Sequence, residues 1–183
     1  TVQAKCLPQL LREAGYRTIH VGKAHFGAEG TPGADPLNLG FDVNIAGHAA
    51  GGLGSYLGEQ SYSAAWRQGD RIWDVPGLEK YHGTDTFLTE ALTIEALKAV
   101  DERPKDKPFF LYLSHYAVHV AYSQDKRFYQ KYRDAGLDET EAMYAGLVEG
   151  MDKSLGDVLA YLEQHHLAEN TVILFMSDNG ADG

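Results

Sequence analysis

The sequence predicts an α/β fold, a mostly parallel sheet flanked by helices, from two observations. Helix-patterned and strand-patterned segments alternate along the chain, the order in which strands pair in parallel and helices cover the sheet. Three apolar segments of strand length, at 17–21, 109–113 and 171–176, each lead directly into a polar cluster. In open α/β sheets, ligand sites form at the carboxyl ends of parallel strands. Clusters from opposite ends of the sequence can therefore share one sheet edge.

Residues 5–14 read as a helix, with Leu7, Leu10 and Leu11 on one face and Gly15 as its stop. Residues 17–21 are the first expected strand. Gly and Pro punctuate 27–40, which predicts loop, and 41–45 predict a short strand. Residues 46–83 carry many Gly, Ser and Tyr with weak periodicity. That is long for a structureless loop, so it is either a functional excursion or a run of short elements. A helix is expected over 84–101, with Thr84 as N-cap and Leu88, Ala91, Leu92 and Ala99 on one stripe. Arg103-Pro104-Lys105-Asp106-Lys107-Pro108 is a turn into a strand at 109–114. A short helix at 125–134 precedes the strongest helix, 139–166, where Met143, Leu147, Met151, Leu155, Val158 and Leu162 recur every third or fourth residue. Asn170 leads into a strand over 171–176 that reads as fully buried.

The 183 residues suffice for one domain with a sizeable core, and 44% hydrophobic content with 23% charge is ordinary for a globular chain. A formal net charge of −10 argues against general nucleic-acid binding. No apolar run approaches the ~20 residues of a membrane helix, and the amino terminus has no signal-peptide pattern. Cys6 is the only cysteine, so no internal disulfide forms; within a helical pattern it reads as a buried structural thiol. The chain starts just before a helix and stops inside a loop that resembles part of a site, so it reads as a piece of a larger protein.

Three constellations carry chemistry. Asp178 and Asn179 both offer oxygen after a strand, which suits a hard cation such as Ca²⁺ or Mg²⁺; an ordinary Asp-Asn-Gly turn has the same composition. Lys23 and His25, two apart, point the same way if their segment is extended, one to contact an anion and the other to move a proton beside it. A solvated lysine and a loop histidine would look the same. Either His115 or His119 is placed to protonate a leaving-group oxygen, and at least one of the two is expected to be a structural histidine. His165 and His166 close a helix, where cationic residues suit the dipole.

These residues carry a resemblance. Leu7-Pro8-Gln9-Leu10-Leu11-Arg12-Glu13-Ala14-Gly15-Tyr16-Arg17-Thr18, running on to Gly22-Lys23-Ala24-His25-Phe26-Gly27, is similar to a block of the type I sulfatases, in the alkaline-phosphatase-like superfamily. Leu39-Gly40-Phe41-Asp42, the stretch from Pro108 to His119, the helix around Tyr144, Asp152 and Gly156, and Ser177-Asp178-Asn179-Gly180 resemble further blocks, in the family's order. Two departures stand out: Ala24 replaces the family's tryptophan, and Val120-Ala121 follows His119 where the family has Ala-Pro.

The resemblance implies that 1–183 is part of the amino-terminal catalytic domain of a sulfatase, an enzyme hydrolysing a sulfate ester on a sulfated small molecule or glycan. It implies that Lys23 binds the sulfate and the nucleophile's oxygen, His25 assists the nucleophile, and His119 binds sulfate and helps the leaving group. Asp178 and Asn179 would complete a single Ca²⁺ site. The family nucleophile is a formylglycine made from cysteine in Cys-x-Pro/Ala-Ser-Arg. Cys6-Leu7-Pro8-Gln9-Leu10 lacks the Ser-Arg and falls in a plain helix, so the nucleophile, an early aspartate pair and a second lysine are expected outside this piece. The 183 residues alone are then expected to be inactive. The implied compartment is periplasmic, secreted or lysosomal. A phosphoryl-transfer relative, and a non-catalytic sulfate- or glycan-binding descendant, are the alternatives. Asn179 favours a single hard cation over the two transition metals of phosphoryl-transfer relatives. Tyr56, Tyr62, Trp66 and Trp73 are candidates to stack on a sugar or to fill the core.

Overall fold

A computed structural model describes residues 5–180. Its centre is a three-stranded parallel sheet in the order β2-β1-β3, with β1 Arg17–Gly22, β2 Val43–Ile45 and β3 Phe109–Ser114. The expected strands at 17–21 and 109–114 are therefore present, and the one at 41–45 shrinks to three residues. β1 is paired on both sides and buried from Thr18 onward, which is why its sequence reads as a continuous run rather than an alternation.

The pleat divides the sheet's two faces. Ile19 and Val21, with Phe109, Leu111 and Leu113, join the main core under α2 (Leu88–Asp101). Leu88, Ala91 and Leu92 are fully buried there. On the other face His20, Phe41, Phe110, Tyr112 and Phe26 form an aromatic cluster, with His20 stacked on Tyr112 and in edge contact with Phe26 and Phe41. The long helix α4 (Glu139–Gln164) packs on α2 and on the short α3 (Tyr129–Asp134). Leu147 and Leu162 on its apolar stripe are buried and the rest half-buried. Its start is fixed by a capping box in which Asp138 Oδ1 accepts from Glu141 N and Glu141 Oε2 accepts from Asp138 N. No helix among the described residues is long and apolar enough to cross a membrane.

Three expectations fail, and one alternative is decided. The expected strand at 171–176 pairs with nothing among the described residues. The chain runs beyond α4 without ladder bonds, and Val172, Leu174, Phe175 and Met176 are 88%, 81%, 80% and 78% exposed instead of buried. A strand is made by its neighbour, and no described strand lies beside this one. Thr84 does not cap α2: its hydroxyl donates to the Tyr81 carbonyl, and the helix starts at Leu88 with Phe87 in the cap position. Cys6 is half-buried at the cap of α1 (Leu7–Glu13) rather than within the helix. Leu7 and Leu10 on that helix are 58% and 46% exposed. The 46–83 excursion is a run of short elements, four 3₁₀ turns at Gly58–Gln60, Ala64–Arg67, Arg71–Trp73 and Glu79–Tyr81. It is pinned by the buried hydroxyls of Tyr56 and Tyr62, each donating to backbone carbonyls.

Candidate active site

β1 ends at Gly22 and β3 at Ser114, directly in register, so the residues following both strands meet at one sheet edge. Gly22 has φ +107° and a Cβ there would lie 1.8 Å from the Ser114 carbonyl oxygen, so only glycine fits the turn out of the strand. The next residue is held on both sides. Lys23 N donates to the Ser114 carbonyl (2.8 Å), and the Lys23 carbonyl accepts from Ser114 Oγ (2.5 Å) and from His20 Nε2 (3.2 Å). His20 is wholly buried, and its Nδ1 faces Asn44 Oδ1 on β2 at 3.0 Å. Burial lowers the imidazole's pKa against the pull of those two acceptors.

The Lys23 side chain is 17% exposed and its Nζ lies 2.9 Å from Asp178 Oδ2. Lys23 and Asp178, 155 positions apart, are thus brought together as one ion pair. The ammonium's hydrogen bond holds the Asp178 carboxyl below the usual carboxylate range. Asn179 is exposed beside it.

His25 does not sit in an extended segment. It adopts φ +54°, a left-handed conformation uncommon for a non-glycine residue, so the same-side expectation for positions 23 and 25 has no extended backbone to act on. Its N–H donates to the His48 carbonyl (3.1 Å). Its ring packs on Gly51, where a Cβ would lie 2.6 Å from Nδ1. The next residue, Gly52, faces His119: a Cβ there would lie 3.0 Å from His119 Cε1. The Gly51-Gly52 strip therefore lies against both histidines. His119 is exposed, and Tyr56 Oη fixes its carbonyl at 2.8 Å. Its Nδ1 donates to the Val120 carbonyl (2.5 Å), so Nε2 is the ring atom left to exchange a proton with a ligand.

His115 separates from this group. Its Nε2 donates to Ser154 Oγ on α4 (2.9 Å), and Ser154 Oγ lies 2.7 Å from the Thr93 hydroxyl on α2. Its Nδ1 is buried without a partner, and burial pushes the ring's pKa down to about 4. His115 is the structural histidine of the pair. His165 stacks on Tyr161 at the end of α4, 4.1 Å between centroids. Of the aromatic candidates, Tyr56 and Tyr62 are fully buried core residues, whereas Trp66 and Trp73 are 53% and 38% exposed.

His20, His48, Ser114 and the Gly51-Gly52 strip were missed in the sequence. His20 sits inside an apolar strand, Ser114 at the end of one, and His48 and the Gly51-Gly52 strip in a segment without periodicity, so only the fold reveals their contacts.

Asp178 and Asn179 have the oxygen chemistry of a hard-cation site, but two side chains fall short of the roughly six to eight ligands Ca²⁺ takes. Among the described residues no group of three or more His, Cys, Asp or Glu is placed to hold a metal. The described residues thus supply a corner of such a site and not a whole one.

The parallel sheet with flanking helices, its candidate ligand edge at the carboxyl ends of β1 and β3, has the alkaline-phosphatase-like α/β fold. A solved structure of Ps i-CgsB in complex with k-i-k-neocarrahexaose superposes with a TM-score of 0.73 at 26% identity, over 91% of this chain and 38% of that one. A second, from work on the metabolism of multiple glycosaminoglycans by Bacteroides thetaiotaomicron, shares the fold at 18% identity and a TM-score of 0.62, over 91% of this chain and 40% of that one. The sulfatase family profile matches residues 3–183, and the chain belongs to the sulfatase family. It is 31% identical to human N-acetylgalactosamine-6-sulfatase, over 96% of this chain and 32% of that protein. It is 27% identical to mouse arylsulfatase J, over 95% and 28%. The chain spans about a third of the length of these curated relatives.

Proposed function

We propose that residues 1–183 are part of the catalytic domain of a sulfuric ester hydrolase that cleaves sulfate from a sulfated small molecule or glycan. The observation that carries this is the pairing of Lys23 with Asp178 across 155 positions, at the edge where His25 and His119 flank the Gly51-Gly52 strip. A fixed ammonium binds an anionic sulfuryl group and stabilises charge developing on its oxygens. His119, with Nδ1 committed to Val120, gives a proton from Nε2 to the departing alcohol oxygen. His25 assists the nucleophile from the left-handed turn that the His48 carbonyl holds.

Sulfatases in general depend on a divalent cation. We propose Ca²⁺ here, with Asp178 and Asn179 as two of its ligands; bound, it would supply Lewis-acid stabilisation of the sulfuryl oxygens. In that state Asp178 would serve both the cation and Lys23. The nucleophile, proposed to be formylglycine, and the remaining ligands would come from other parts of the full-length protein.

The test uses that full-length protein. Asp178→Ala should abolish Ca²⁺ binding by calorimetry together with turnover of an aryl sulfate. His119→Ala should keep the Ca²⁺ affinity and slow turnover by roughly 10²–10⁴-fold. Undiminished Ca²⁺ affinity in Asp178→Ala would remove that residue from the ligand set. A phosphodiester cleaved faster than the sulfate ester would replace the sulfatase assignment with a phosphoryl-transfer one.

A further inference from the structure

Trp73 has no role in the chemistry above, yet its benzo ring lies beside the proposed leaving-group histidine. A Cβ on Gly52 would lie 3.0 Å from His119 Cε1 and 3.1 Å from Trp73 Cζ3. One glycine therefore separates the indole from the imidazole. The edge bearing Cε3 and Cζ3 is packed on that glycine, while the residue as a whole is 38% exposed. A large aromatic group is normally buried for the free energy it gains, and this one is left half in solvent at the site's rim.

Its position is fixed relative to the site. His48 Nε2 donates to the Ile72 carbonyl (3.2 Å), directly before Trp73. The His48 carbonyl accepts from His25 N (3.1 Å). His48 Nδ1 faces the Tyr116 hydroxyl (3.1 Å), which donates to the Ala46 carbonyl (2.8 Å). One residue thus ties the Trp73 turn to the His25 turn, so the indole is pre-organised rather than carried on a free loop.

Resting on the sulfate-ester reading above, we infer that Trp73 is the stacking platform for a sugar ring of the substrate, and that the ester cleaved is carried by an oligosaccharide. A wholly apolar alcohol would seek an enclosed pocket that removes most of its surface from water. A pyranose is two-sided: its C–H face covers an exposed indole while its hydroxyls stay solvated. Trp66 lies further along the same strip, its Nε1 donating to the Gly54 carbonyl (3.1 Å).

The experiment compares full-length wild type, Trp73→Ala and Trp73→Phe on two esters, a sulfated oligosaccharide (neocarrahexaose and a sulfated glycosaminoglycan tetrasaccharide in parallel) and 4-nitrophenyl sulfate. Calorimetric titration with the oligosaccharides accompanies it. Trp73→Ala should raise KM and Kd for the accepted oligosaccharide about 3- to 10-fold, the worth of one aromatic contact. Its kcat should hold, the aryl-sulfate KM should rise less than the oligosaccharide KM, and Trp73→Phe should recover much of the loss. An equal loss on both esters, or none on either, overturns the platform, as does a wild type that cleaves the aryl sulfate but binds neither oligosaccharide. If no ester is cleaved by wild type while oligosaccharide binding still falls in Trp73→Ala, the sulfatase reading fails and the platform stands.

Discussion

His115 should make the protein less stable as the pH falls from neutral. Its Nε2 is used on Ser154 and its Nδ1 is buried without a partner, so the folded protein resists taking up a second ring proton. The ring's pKa is about 4 in the fold against 6.5 for the free group. Between those values the unfolded chain binds a proton that the native state refuses. Stability conferred by the neutral ring is therefore complete above about pH 6.5 and declines on acidification towards pH 4. Integrated from about pH 7.5 to about pH 5, the difference in bound protons amounts to about 2 kcal/mol. The assay is guanidinium chloride unfolding of wild type and His115→Gln at both pH values. Glutamine keeps a donor for Ser154 but does not titrate. Wild type should lose about 2 kcal/mol more than the variant over this interval. His20, lowered in the same direction by its own burial, is common to both proteins and cancels. Equal losses in the two proteins would show that the His115 ring takes up a proton freely in the fold, and the account of its burial would be wrong.

Two further outcomes follow from the packing. Gly22→Ala forces a side chain into φ +107° with its Cβ 1.8 Å from the Ser114 carbonyl; it should cost upwards of about 3 kcal/mol in urea unfolding. A loss under about 1 kcal/mol would mean β1 and β3 part easily at that end. Leu147→Ala empties a fully buried position where α4 meets the core, and should cost about 2–5 kcal/mol by the same measurement.

Sequence periodicity revealed the elements whose own residues decide them. β1 reads as buried because it is paired on both sides, and α4 because Met143, Leu147, Met151, Leu155, Val158 and Leu162 supply one seam. The Asp138–Glu141 capping box is present in the sequence as a spacing, Asp followed three residues later by Glu. Thr84 failed because its hydroxyl had a nearer acceptor, the Tyr81 carbonyl, than the helix it was expected to cap. The segment at 171–176 has the composition of a strand, but composition cannot supply the neighbouring edge that a strand needs. Lys23 and Asp178 were recognised by their places after apolar runs and by family resemblance. The Gly51-Gly52 strip and His48 lie in a stretch held by buried tyrosine hydroxyls and 3₁₀ turns, which have no period to detect.

The clamp on the Lys23 peptide bears on how the site would fail. Its amide and carbonyl are committed to Ser114 on one strand and to His20 on its own. The lysine backbone therefore has no private route to disorder. To let the Lys23 amide exchange with deuterium, its bond to the Ser114 carbonyl must open, which parts β1 from β3 at their paired carboxyl ends. Lys23 then stays in place for as long as the domain is folded and is lost only when the domain is. Thermal inactivation that originates at this lysine should track global melting, with no earlier phase of an intact fold carrying a loosened site.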